Sequence, residues 1–288
     1  MIPSQDLDRL EAAVETLSDE RSIPDRDRAR GVVADFLGAL ERGEIRAAEP
    51  TDDGWAAVLW VKRGILLAFR TGVTREFPAD GAGRSPFRYF DRDTLPLRET
   101  RGVEENVRIV PGGSSVRAGA YLGPNVVIMP PAYVNIGAWV GEGSMVDSHA
   151  LVGSCAQIGK RVHLSAGVQI GGVLEPVGMR PVIVEDDAMI GANCGVFEGV
   201  MIGRGAVLAP GVQLTAATPL FDLVEGEVRR SAPEHPLTVP PHAIVVPGTR
   251  PARGPFAADH GIQLYAPVIV KYRDEKTDAA TALEEVLR

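Results

Sequence analysis

Two ionisable residues, Asp147 and Arg108, stand where neither a turn nor a core calls for their chemistry. Asp147 directly follows Val146 in a stretch where glycine usually follows the recurrent aliphatic residue, as at Gly123, Gly141, Gly153 and Gly159. A carboxylate on such a corner can take a proton from an attacking amine, or it can be a solvated turn residue. Counting eighteen residues on gives Ser165, and eighteen more plus a two-residue shift gives Glu185, so Asp147, Ser165 and Glu185 are expected on one edge. Arg108 stands two before Val110, where later repeats carry small inward residues; it can cap the open end of the array or bind an anion. His149 and His163 hold different places in their repeats, three and one before the aliphatic, which argues against imidazoles converging on zinc. No metal site is predicted. Cys194 takes a small inward place, Cys155 fits core or surface, and neither has a histidine set by sequence as its base. No glycine-rich phosphate loop of the nucleotide-binding kinds is present.

What must position these residues is a sixfold repeat. From Val110 an aliphatic recurs at every sixth residue through Val116, Leu122, Ile128, Val134, Val140, Val146, Val152, Ile158, Leu164 and Ile170. It resumes, shifted by two, at Val184, Ile190, Val196, Ile202, Leu208 and Leu214. Six is not a helical period, and strands alternate with period two, so short extended runs joined by turns fit a coil of parallel strands. The residue two before each aliphatic is mostly small, as at Ala120, Ala138, Ala150, Ala188 and Cys194, and shares the inward face. Glycine just after the aliphatic is expected to supply unusual backbone angles at corners. Three hexads closing one triangular turn stack every eighteenth residue at roughly 4.8 Å.

Around this frame the chain divides into 1–105, an N-terminal helical or α+β domain; 106–248, the parallel β-helix; and 249–288, a C-terminal strand and helix. Helices are predicted over residues 5–18 and 26–43 from apolar residues at helical spacing. Asp52-Asp53-Gly54 reads as a turn before two strand-like runs, Trp55–Val61 and Ile65–Phe69, and residues 71–101 read as an irregular connection. The frame fails at 172–181, predicted to be an external loop carrying Glu175 and Arg180, and again at 217–238, an excursion or hairpin. Strands are expected at Ala243–Val246 and Leu264–Tyr272, and a helix at Asp278–Leu287.

The 288 residues are 45% apolar with a formal net charge of -8, ample for a core and unfavourable for nucleic acid or anionic membrane as partners. Two cysteines, both inside the repeat, and an acidic, polar N-terminus without a secretory pattern place the chain in a reducing cytoplasm. The most apolar run, GWAAVLWVKRGILLAF, is broken by Lys62 and Arg63 and is too short to span a bilayer.

The repeat resembles that of the hexapeptide acyltransferases. More narrowly, PPAYVNIGAWVGEGSMVDSHALVGSCAQIGKRVHLSAGVQIGGVLEP resembles the tetrahydrodipicolinate N-succinyltransferases, as do GWAAVLWVKRGILLAFR and LYAPVIVKYRDEKT. The resemblance covers all three regions and is tightest in the core. It implies a left-handed parallel β-helix, a homotrimer with active sites between subunits, and no permanently bound cofactor, with succinyl-CoA as co-substrate. It implies succinyl transfer to the amine of ring-opened tetrahydrodipicolinate in lysine and diaminopimelate biosynthesis. Asp147 corresponds to the catalytic carboxylate, in contact with substrate, and Arg108 to the substrate-carboxylate arginine; Ser165, Gly171, Gly172 and Lys271 fall where CoA is expected. One departure matters: many members carry an acid where this chain has Gly195, and Glu198 sits in another register, so that role is not carried over to it. The alternatives are an N-acetyltransferase using acetyl-CoA on the same substrate, and a non-catalytic β-helix scaffold.

Overall fold

The computed structural model describes residues 4–20, 23, 25–52, 54–78, 88–232, 235–274 and 279. Each hexad forms a two-residue strand, and strands eighteen residues apart pair in parallel, as Leu122 with Val140 and Val140 with Ile158. Three sheets result. A first face begins at Arg108–Ile109 and ends on the long strand Ala243–Pro251; a second runs from Ser115–Val116 to Gln213–Leu214; a third runs from Tyr121–Leu122 to Thr238–Val239. The aliphatic rungs point inward: Ile128, Val140, Val152, Ile158, Leu164 and Ile170 are wholly buried. Each contributes about 1.5–3 kcal/mol relative to exposure, and a polar side chain in their place would lose that and strand its own hydrogen bonds.

The corner glycines have a different cause from the one expected. The left-handed residues stand three before the aliphatic, as at Gly137 (φ +71°) and Asn125 (φ +61°), not one after it. The glycines after the aliphatic are required by the coil stacked on them. A Cβ on Gly153 would lie 2.2 Å from Gly172 N, and one on Gly141 would lie 2.5 Å from Gly159 O.

The frame also slips at its start. Ile109, not Val110, pairs with Ile128, and Val107 takes the small inward place. Arg108 therefore lies on the outer side and is exposed, which corrects its inward, end-capping placement. The extra residue is absorbed at Gly112-Gly113, both with positive φ.

The interruption after Ile170 is a true insertion, eight residues long, since Val184 follows on the third face and pairs with Ile158. Insertions of two and of eight leave the same sixfold phase, so counting alone could not separate them. As a result Glu185 stacks above Gly159 on the corner between third and first faces. It does not share the edge of Asp147 and Ser165, and the expected three-residue edge is corrected to those two.

At the N-terminal end, α1 (Ser4–Asp19) and α2 (Arg26–Glu41) form from amphipathic runs, the second capped by Asp25, whose Oδ1 accepts from Arg28 N at 2.9 Å. A hairpin of β1 (Ala48–Thr51) and β2 (Gly54–Ala57) follows, then α3 (Leu59–Thr71). The second of the two expected strands is thus helical, as are Leu59–Val61 at the end of the first. Val61, Gly64, Ile65, Ala68 and Thr71 are buried at helical spacing with Arg63 and Arg70 on the outer side, but the strand-favouring Trp, Val, Ile and Phe on either side of Gly64 resemble two strands and a turn. Residues expected to be irregular include an antiparallel pair, β3 (Thr74–Pro78) with β4 (Arg88–Arg92). Asp93 ties it down, accepting from Val73 N and from Arg30 at 2.9 and 3.0 Å. The three helices share one apolar cluster with Ala118, Ile136 and Cys155 of the coil, so this unit packs on the corner between the second and third faces.

At the other end, Ala243–Pro251 pairs antiparallel with Gln263–Tyr272, and the excursion after Leu214 contains a hairpin, Leu220–Asp222 with Glu227–Arg229, that docks on Val268–Ile269. Of the helix expected at Asp278–Leu287 only Ala279, which is helical, is among the described residues.

Candidate active site

Asp147 sits on the corner between the first and second faces. Its N–H donates to Leu164 O at 2.9 Å and its C=O accepts from Ala150 N at 3.1 Å, so the backbone is held on both sides. Oδ1 accepts from Ser148 N at 2.7 Å, which fixes the half-buried carboxyl. Oδ2 has no protein partner among the described residues and is available to a proton or a substrate amine. Ser165 occupies the same corner one coil on, with its N–H on Ile190 O. Arg108 lies on the adjoining first face two coils away, about 10 Å by strand spacing. Its outer row continues through Val127, Met145, His163 and Met189.

The other expected contacts lie elsewhere on the chain. Gly171 and Gly172 stand on the corner between second and third faces, where the Phe197 ring approaches the place of a Gly171 Cβ to 2.8 Å. Lys271 lies opposite Ile244 on the terminal antiparallel strand. One chain therefore gathers Asp147, Ser165 and Arg108 along one side and leaves Gly171, Gly172 and Lys271 apart from them. His149 is on the corner near Asp147 and exposed, His163 is half-buried on the first face, and among the described residues no cluster of three His, Cys, Asp or Glu is placed to hold a metal. Both cysteines are buried. Burial pushes the Cys155 thiol up to about 12 and the Cys194 thiol up to about 11, so neither is a ready nucleophile at neutral pH.

Gly195 lies on the second face between Gln169 and Gln213. A Cβ there would stand 2.2 Å from Gln213 Oε1 and 2.4 Å from Phe197 Cε2, so these two side chains occupy the space an acidic residue would need.

Two cations went unassigned from sequence. Lys62, the buried one of the three cations of α3, donates to Pro176 O at 3.2 Å and Met179 O at 2.7 Å, tying down the inserted loop; burial lowers its pKa. Arg180, in that loop, donates through Nη2 to Gly199 O at 3.0 Å. Their signal was a cation inside an apolar or glycine-rich stretch, which gives no partner. A cavity of about 1000 Å³ opens here rather than at Asp147, walled by Trp55, Leu59, Met179, Arg180, Glu198 and Met201.

Comparison with known proteins agrees with this architecture. A family model described as tetrahydrodipicolinate N-succinyltransferase N-terminal matches residues 9–71, and one described as hexapeptide repeat of succinyl-transferase matches 181–216. A 2,3,4,5-tetrahydropyridine-2,6-dicarboxylate N-succinyltransferase of Parvibaculum lavamentivorans is 42% identical over 282 residues, covering 93% of this chain and 96% of its own. The chain belongs to the tetrahydrodipicolinate N-succinyltransferase family. Another N-succinyltransferase of that name, from Aromatoleum aromaticum, is 46% identical over 265 residues, 90% of this chain and 89% of its own. Among solved structures, a hexapeptide transferase family protein from Anaplasma phagocytophilum covers 63% of this chain and 82% of its own at 17% identity and a TM-score of 0.41. The parallel coils and the hexapeptide repeat fit the left-handed β-helix, and membership places the chain among CoA-dependent N-acyltransferases.

Proposed function

We propose that this chain moves the succinyl group of succinyl-CoA to the amino group of ring-opened tetrahydrodipicolinate, a step of lysine and diaminopimelate biosynthesis carried out in the cytoplasm. The observation that carries the reading is nearly full-length similarity to N-succinyltransferases in a chain that holds Asp147 on a fixed corner with one carboxylate oxygen free. The cyclic imine adds water and opens to an α-amino dicarboxylate. Its amine attacks the thioester carbonyl, Asp147 Oδ2 takes the amine proton, and the tetrahedral intermediate collapses to the amide and CoA thiolate. Asp147 gives that proton to the departing thiolate, so CoA leaves as the free thiol and the carboxylate is restored. Backbone N–H groups along the coil steady the oxyanion, and the rigid stack supplies most of the rate by holding amine and thioester together.

Arg108, exposed on the side of Asp147, binds a carboxylate of the acceptor. CoA runs past Ser165, Gly171, Gly172 and Lys271. Because one chain sets these on separate corners and on a terminal strand, the reading that sites form between subunits of a homotrimer accounts for them best. The test is thiol release from succinyl-CoA with L-2-aminopimelate as acceptor, run beside acetyl-CoA. Turnover with acetyl-CoA alone rejects the succinyl assignment, and turnover with neither rejects the reaction.

A further inference from the structure

The inserted loop and the excursion after Leu214 leave the same corner of the coil two turns apart, and the short turn Glu198-Gly199 lies between them. Together with β2 and the start of α3 they enclose the cavity of about 1000 Å³. That is room for a substrate or for the acyl and pantetheine end of a thioester. Most of its wall is apolar: Trp55, Leu59, Met179 and Met201.

Arg180 stands in that wall beside the polar side chains of Glu198, Ser231, His235 and Thr238. It is half-buried, and among the described residues it makes no ion pair; its hydrogen bond is the one from Nη2 to Gly199 O. Its Nε is buried with no acceptor. Among the described residues, the acid in the cavity wall and the acid that acts on Arg180 through space are both engaged. Glu198 accepts from Ala216 N at 3.0 Å, while Glu185, which acts on Arg180 only through space, accepts from Trp55 Nε1 at 3.1 Å and Arg204 N at 3.0 Å. A guanidinium offers five donors in a planar fork, and leaving them unfilled beside an apolar wall is costly unless an anion completes them. Burial already lowers its pKa, the mark of a cation short of compensating charge.

We propose that this cavity binds a carboxylate through Arg180, and that the carboxylate belongs to a substrate of the succinyl transfer. Both substrates carry one: the far end of the succinyl group and the two ends of the acceptor. The inference rests on the proposed reaction only for the identity of the molecule that brings the carboxylate. Lys62 serves the same site indirectly, since its bonds to Pro176 O and Met179 O hold the loop that presents Arg180.

The experiment is calorimetric binding of succinyl-CoA, of butyryl-CoA, which has the same acyl length without the carboxylate, and of L-2-aminopimelate. Each is titrated into the full chain, into Arg180→Leu and into Arg180→Lys. Arg180→Leu is expected to weaken succinyl-CoA, L-2-aminopimelate or both by about 10- to 100-fold and to leave butyryl-CoA within about twofold. Arg180→Lys, which keeps the charge without the fork, recovers part of the loss. Weakening confined to succinyl-CoA makes the site a reader of the donor; weakening confined to L-2-aminopimelate makes it a reader of the acceptor. Unchanged affinity for all three, equal loss of all three, or failure of the unaltered chain to bind any of them overturns the proposal. An unaltered chain that binds a carboxylate ligand through Arg180 yet releases no thiol keeps the site and refutes only the reaction.

Discussion

Asp147 and its neighbours show how little freedom a side chain has on a stacked corner. Its backbone is bonded to the next coil and one carboxylate oxygen to Ser148 N, so replacing the other oxygen by an amide changes the chemistry without changing the frame. Asp147→Asn is expected to lower kcat by about 10²–10⁴ with an unaltered Tm; near-normal turnover would remove Asp147 from the mechanism. Arg108 is exposed and makes no core contact, so Arg108→Ala should raise KM for the acceptor and leave that for the acyl donor alone. An unchanged acceptor KM would return Arg108 to being a surface cation. The position of Asp147 was legible because it broke a glycine pattern. The outward direction of Arg108 was not, because a one-residue slip at Gly112-Gly113 reverses which face a side chain takes.

At the scale of elements, stacking and end-capping can be tested separately. Gly153 has ordinary backbone angles, so its requirement is steric: a Cβ would meet Gly172 N at 2.2 Å and Gly171 C at 2.6 Å, both backbone atoms. Gly153→Ala should cost about 1–3 kcal/mol or more by overpacking, read as a lowered unfolding midpoint. A neutral result would mean the coils can part there. Asp222 anchors the hairpin at the far end, accepting from Tyr272 OH at 2.5 Å, Arg229 Nε at 3.2 Å and two backbone N–H groups. Burial alone would raise its pKa, but Tyr272 and the other donors hold the carboxyl below its usual range; Tyr272 in turn is pushed up to about 12 by burial and by Asp222. A depressed carboxylate adds stability above its ordinary pKa near 4, and that stability is lost as pH falls through the folded value. The Tm advantage of the unaltered chain over Asp222→Asn should therefore shrink as pH is lowered from about 6 to about 3. A constant difference would show that Asp222 acts by shape alone.

On the scale of the whole molecule, the proposed trimer predicts a solution mass about three times that of the 30.7 kDa chain. Light scattering at assay concentration checks it, and an active monomer would rule out sites built between subunits. The coil itself was readable in advance because its period is set by geometry: an inward residue every sixth place, small residues two before it, and parallel pairing at eighteen. The same repetition made phase the only thing counting could measure. An insertion of eight counts like one of two, so only strand pairing assigns Glu185 to its corner. α3 reads as strand from its sequence because strand-favouring residues flank Gly64, and the partners of Lys62 and Arg180 come from segments more than a hundred residues distant or from a neighbouring coil. By itself, then, the sequence determined the repeat, its inward face and the anomaly at Asp147, because each follows from local spacing. Only the tertiary structure decided which corners stack, which way Arg108 points and where the cavity beside Arg180 opens, because those depend on how residues far apart in the chain are brought into register.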